Sequence, residues 1–169
     1  MDSPLVFNED VQPACLPAPN WFPDLDTNSR CIASGWGLLQ YEGNAPINLK
    51  WVELSVVTNE VCQDQFDVSN SLPNGITNST ICAGNVQGDI CQGDSGGPLV
   101  CLNENSNAIL TGITSWTIGC NSGTLGYYSG FARVTEALDW IQSYMVSLKR
   151  CNGDCMKLHF LFFLGINTQ

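Results

Sequence analysis

From Leu49 to Val57 the chain alternates in part, with Trp51, Glu53 and Ser55 in a β-branched setting, and this predicts a strand. Thr58-Asn59-Glu60-Val61-Cys62 follows, opening on a capping hydroxyl, and predicts a short helix. Residues 66–80 are rich in Asn, Ser, Pro and Gly and read as a surface loop, ending in a strand at Ile81-Cys82-Ala83-Gly84. Further strands are expected from Gly97-Pro98-Leu99-Val100, from the β-rich run Ala108 to Trp116, and from Phe131-Ala132-Arg133-Val134. Thr135 to Leu148 changes period: Ala137, Leu138, Trp140, Ile141, Tyr144, Met145 and Leu148 are spaced for an amphipathic helix. The pattern is that of an all-β domain closed by one helix, with no internal repeat. The apolar patch Leu161 to Leu164 is far shorter than the roughly 20 residues that cross a bilayer, so no membrane contact is expected.

Composition adds to this picture in three ways. With 169 residues and 44% hydrophobic content the chain can build a sizeable core, and only 13% of residues are charged, as short strands and turns allow. A net charge of −10 argues against nucleic acid, whose phosphates would be repelled. Nine cysteines point to an oxidising compartment, and the sequon Asn78-Ser79-Thr80 agrees with a secreted protein. Met1 is followed by Asp2-Ser3-Pro4, without a basic-then-apolar run, so the export signal is expected upstream of Met1.

The chemistry concentrates in Cys91-Gln92-Gly93-Asp94-Ser95-Gly96-Gly97-Pro98-Leu99-Val100-Cys101. Gly93 and Gly96 let the chain turn sharply and let a peptide carbonyl approach. The N–H groups of Gly93 and Ser95 can then converge on a developing oxyanion beside the Ser95 hydroxyl. Gly-x-Ser-x-Gly also describes the nucleophile elbow of α/β-hydrolases, and the order Ser95, Asp139, His159 exists here. That elbow needs an apolar strand before the serine and a helix after it, whereas Gly88-Asp89 precedes and a strand start follows. The run CQGDSGGPLVC resembles the nucleophile loop of trypsin-like serine proteases of the chymotrypsin family.

The likeness extends over about residues 3–146. It implies the second antiparallel β-barrel of a double-barrel fold with a C-terminal helix, most of the first barrel lying outside the chain. Val11-Gln12-Pro13 and Cys15-Leu16-Pro17 resemble the crossing between the barrels, and Cys31-Ile32-Ala33-Ser34-Gly35-Trp36-Gly37 the strand entering the second. The implied division is a first-barrel remnant and linker over 1–26, the C-terminal barrel over 27–148 and an irregular tail over 149–169. The triad aspartate, in a DIAL-like strand, and the triad histidine, in an AAHC-like motif, fall upstream of Met1.

The resemblance also implies roles. Ser95 is the nucleophile, with Gly93 and Ser95 supplying the oxyanion hole; the triad mechanism is a general property of such proteases. Asp94 matches the aspartate that pairs with a new N-terminus after zymogen cleavage. Asp89 matches the carboxylate at the floor of the primary specificity pocket, implying cleavage of polypeptides after Arg or Lys. Ser115, Trp116 and Thr117 match the wall along which substrate adds as a strand. Thr117 stands where a glycine is usual and Ser129 replaces another, both narrowing the pocket. The function implied is that of a serine endopeptidase fragment inactive alone, since a serine hydroxyl needs a base. The alternative is a non-catalytic relative that binds partners through the old substrate groove.

The same resemblance implies the disulfides Cys31–Cys101, Cys62–Cys82 and Cys91–Cys120, and makes Cys15 the tether to a partner outside the chain, the missing N-terminal half. Cys151, Cys155 and His159 fall at i, i+4 and i+8, a possible zinc face, but Asn152-Gly153-Asp154 disfavours a helix there. A local disulfide or free thiols are expected instead, and neither a metal nor a cofactor.

Overall fold

The computed structural model describes residues 6–8, 11–12, 14–23, 30–69, 75–84, 88–118, 120, 128–144 and 156–157. The strands are β1 (Cys15–Leu16), β2 (Arg30–Gly35), β3 (Lys50–Val57), β4 (Thr80–Gly84), β5 (Pro98–Leu102), β6 (Ala108–Trp116), β7 (Ser129–Arg133) and β8 (Met156–Lys157). The helices are α1 (Asn59–Ser69) and α2 (Leu138–Ser143), the latter entered through a 3-10 turn at Val134–Ala137. Six strands close a barrel in the order β5-β2-β3-β4-β7-β6, with β6 returning to β5. Every pairing within that ring is antiparallel. Closure leaves the ring without an unpaired edge.

The barrel fills by strand alternation. In β3, Leu54 and Val56 point inward while Trp51 and Ser55 face out, so the alternation read from the sequence is real. Cys31, Ala33, Leu54, Val56, Ile81, Ala83, Ile90, Leu99, Cys101 and Phe131 form the main core. The Cys31–Cys101 disulfide crosses it between directly paired residues of β2 and β5. Cys62–Cys82 staples α1 to β4, and Cys91–Cys120 fastens the loop ahead of β5. All three pairs are those the resemblance implied.

Two expectations need correction. Helix α1 begins at Asn59 as read, with the Val61 N–H donating to Thr58 Oγ1 at 3.3 Å, but it runs on to Ser69, into the stretch read as loop. Cys62 and Phe66, one turn apart, are buried together, and that burial outweighs the polar composition around them. The terminal helix begins later than Thr135: Val134 to Ala137 is a 3-10 turn and α2 runs from Leu138 to Ser143, while Met145 and Leu148 lie outside the described residues. Val134, Leu138 and Ile141 pack on the barrel, whereas Trp140 (67% exposed) and Tyr144 (74% exposed) do not. Cys15 is itself disulfide-bonded. Its strand β1 runs parallel to β6 and antiparallel to β8.

The segment read as linker is therefore docked. Ala14, Cys15, Leu16 and Pro17 are buried, with Ala14 and Leu16 packed on Val100 and Leu110. Arg133 ties the strap further: its guanidinium lies 4.9 Å from the Phe22 ring centroid and donates to Thr80 O at 2.7 Å and Asn59 Oδ1 at 3.0 Å.

Candidate active site

The loop between Gly88 and Gly97 is held from three sides. Gly93 (φ 100°) and Gly96 (φ 81°) adopt the left-handed region that favours glycine. Gly96 N–H donates to Thr114 O at 2.9 Å and Thr114 N–H to Gly97 O at 2.8 Å, which carries the β5–β6 ladder into the loop. Asp94 N–H donates to Cys91 O at 3.0 Å, and Gly97 N–H to Asp94 O at 2.9 Å. Ser95 is lifted by this turn to the surface, exposed to solvent.

The N–H groups of Cys91, Asp94, Gly96 and Gly97 are spent on acceptors within the protein. Those of Gly93 and Ser95, with Gln92, have no acceptor among the described residues. Donors left over beside an exposed hydroxyl are what an oxyanion requires.

Asp94 is half-buried beneath the loop. Its Oδ1 accepts from Gly37 N–H at 2.8 Å and its Oδ2 from Cys91 N–H at 2.9 Å. A Cβ at Gly35 would fall 2.0 Å from Asp94 Oδ1, and one at Gly37 would fall 2.5 Å from Asp94 Cγ. The Gly35-Trp36-Gly37 run is thus a cradle for this carboxylate, a role not visible in the sequence, where it reads only as a strand end. A cavity of about 300 Å³ opens beside it, lined by Gly37, Lys50, Trp51, Asp89 and Asp94 among others.

Asp89 is likewise half-buried, with both carboxyl oxygens engaged. Oδ2 accepts from Thr117 Oγ1 at 2.8 Å; Oδ1 accepts from Ser129 Oγ at 2.5 Å and from Ile90 N–H at 2.7 Å. Burial pushes the Asp89 carboxyl above the ordinary carboxylate value, Asp94 adds repulsion, and the three hydrogen bonds only partly offset the burial. A carboxyl raised on folding binds its proton more tightly in the native state. Stability therefore falls as pH rises from the usual aspartate value, about 4, through the raised native one. Asp89→Asn should flatten that decline in thermal unfolding followed from pH 4 to 8. An unchanged pH profile in the variant would show that Asp89 is not its source.

Trp116 joins a cluster with Cys62, Phe66 and Cys82, its ring 4.9 Å from Phe66 in an edge-on contact. It also lies across Gly130, where a Cβ would come within 2.0 Å of Trp116 Cε2. Ser115 is exposed near the strand's end, and Thr117, just past it, is half-buried. Ser95, Gly93, Asp94, Asp89 and the segment 115–117 are all brought to one end of the barrel, the loop 88–97 being tied to Thr114 and Thr117.

The hydrolase alternative fails on architecture. Ser95 leads into β5, not a helix, and the sheet is an antiparallel barrel. Asp139 is exposed on α2. Cys151, Cys155 and His159 lie outside the described residues. Among those described, no three His, Cys, Asp or Glu side chains form a group able to hold a metal, and no helix is long and apolar enough to cross a membrane.

A closed antiparallel barrel carrying an exposed serine on a glycine-turned, disulfide-anchored loop defines a protein of the serine-protease class. The comparison with known proteins agrees: the Trypsin family matches residues 1–141, and the chain belongs to that family. Transmembrane protease serine 9 of Rattus norvegicus is 41% identical over 150 residues, which cover 85% of this chain and 13% of that protein. The chain thus spans only a small part of the length of that relative.

Proposed function

We propose that this chain is the C-terminal part of a serine endopeptidase catalytic domain, with residues 27–148 as its second barrel and residues 1–26 the end of the first. Ser95 attacks the scissile carbonyl, and the Gly93 and Ser95 N–H groups receive the oxyanion of the tetrahedral intermediate. Asp94 sets the conformation of that hole from below. The cavity beside it has the place and the carboxylate to receive a cationic N-terminus released by zymogen cleavage. Ser115, Trp116 and Thr117 offer an exposed strand end along which an extended polypeptide can add. The observation that carries this reading is that the N–H groups of Gly93 and Ser95 are uncommitted beside the exposed Ser95 hydroxyl.

The base must come from elsewhere. His159 is the chain's sole histidine and follows Ser95, so the triad histidine and aspartate are assigned to sequence upstream, and the chain alone does not turn over peptides. An upstream reading frame with AAHC-like and DIAL-like motifs, joined to this chain, should yield peptide hydrolysis. A frame without them favours the non-catalytic binding relative. The preference for Arg or Lys suggested by Asp89 depends on what else reaches that carboxyl.

The setting proposed is extracellular. Three disulfides support it, as does Asn78, which is exposed on the turn closed by Thr80 N–H to Thr77 O at 2.9 Å. Chain exported from a eukaryotic cell should lose mass on treatment with an N-glycan-releasing amidase, and Asn78→Gln should abolish the shift. Equal mass before and after treatment would contradict glycosylation there.

A further inference from the structure

Thr117 and Ser129 do more than border Asp89. Their hydroxyl oxygens lie 2.8 Å from each other, and each contacts a different oxygen of the carboxyl group. The three side chains form a closed ring, Asp89 Oδ1 to Ser129 Oγ to Thr117 Oγ1 to Asp89 Oδ2. Resting on the protease reading above, we propose that this ring closes the floor of the primary specificity pocket, so that the site takes a short uncharged side chain instead of Arg or Lys.

A methylene chain needs roughly 3.5 Å to each flanking atom, so two walls that admit one stand roughly 7 Å apart. Here the two oxygens are 2.8 Å apart, and nothing passes between them. Rotation clears little. Thr117 is β-branched, so one of its two other staggered rotamers puts the methyl group where the hydroxyl was, and either gives up its hydrogen bonds to Asp89 and Ser129. Ser129 is 0% exposed, on a strand whose next residue, Gly130, is covered by Trp116.

The proton count favours the same state. The ring has three oxygen–oxygen contacts, but two hydroxyls supply only two protons. With Asp89 ionised, one contact sets lone pairs against lone pairs. With Asp89 protonated on Oδ1, that O–H donates to Ser129 Oγ, Ser129 donates to Thr117 and Thr117 to Asp89 Oδ2, while Ile90 N–H still donates to Oδ1. Burial, which raises the Asp89 carboxyl, works in the same direction, as does Asp94, the charged neighbour acting on it. A substrate cation would need the opposite: an ionised carboxylate with oxygens free to meet it. The small side chains of Ala, Ser, Thr or Val end above the ring and disturb none of it.

The test uses p-aminobenzamidine, a fluorescent cationic amidine, titrated into the chain. Wild type should show no saturable signal up to millimolar probe. Thr117→Gly/Ser129→Gly removes both hydroxyls and should bind at least about tenfold more tightly, a change of about 1.4 kcal/mol. Asp89→Asn added to that double variant should abolish the gain. Ser129→Gly alone should show part of it, so the result does not hang on the double variant's folding. Thr117→Val keeps the bulk at that position and should stay closed. Wild-type binding as tight as the double variant's overturns the proposal, and so does a cooperatively melting double variant that gains nothing. In protein joined to its upstream half, a peptide library should be cut after Ala, Ser, Thr or Val. Cleavage after Arg or Lys overturns the pocket assignment. Absence of any cleavage counts against the protease reading instead, and the probe, which needs no chemistry at Ser95, still decides the pocket.

Discussion

Ser95→Ala, made in this chain joined to its upstream half, is expected to lower kcat for peptide hydrolysis about a millionfold while leaving the fold unchanged. The magnitude is that of serine-protease triads in general. Its local basis is that Ser95 is exposed, at the tip of a turn whose shape comes from Gly93, Gly96 and the Asp94 carboxylate beneath. Removing one hydroxyl leaves each of these supports in place. The variant should therefore melt with the parent, and substrate affinity should change far less than turnover. A Ser95→Ala protein that retains turnover, by steady-state kinetics on a peptide substrate, would remove the serine from the chemistry.

Loss of the Cys31–Cys101 disulfide is expected to be the most damaging single change to stability. The bond joins directly paired residues of β2 and β5 and closes 70 residues of chain, so in the chain-entropy description its loss costs about 4 kcal/mol. Both sulfurs sit in the main core, fully buried, so two alanines would also leave a void. Against a total stability of about 5–15 kcal/mol for a typical domain, that loss takes a large share. Denaturant unfolding of Cys31→Ala/Cys101→Ala should show the midpoint falling sharply. A midpoint within experimental scatter of the parent's would mean that the barrel closes without its cross-link.

Much of this architecture is written in local pattern. The β6 run from Ala108 to Trp116 was legible because an apolar, β-rich stretch between turns has one reasonable fate, and β3 because alternation marks a half-buried strand. Helix α1 was legible at its start, where Thr58 caps it, but not at its end. What holds the last turns is tertiary: Phe66 meets Trp116 from a distant strand. The terminal helix was overread for the converse reason. Trp140 and Tyr144 have helical spacing but lean on each other, ring centroids 5.3 Å apart, instead of on the barrel.

The site divides in the same way. Ser95, Gly93, Asp94 and Asp89 stood out because their neighbours in sequence form a recognisable run. The Gly35 and Gly37 cradle did not, since its meaning depends on Asp94, 57 residues from Gly37 along the chain. The Thr117–Ser129–Asp89 ring was half legible. The two departures from glycine could be seen, but only the fold shows the hydroxyls meeting each other over one carboxyl group.

The central claim is that Ser95 is a prepared nucleophile whose base lies outside this chain. Fluorophosphonate labelling tests it most directly, with the modified residue located by peptide mass spectrometry. The protein joined to its upstream half should be labelled rapidly and at Ser95 alone, the isolated chain hardly at all. Rapid labelling of Ser95 in the isolated chain, or labelling of the joined protein at another serine, would contradict the account.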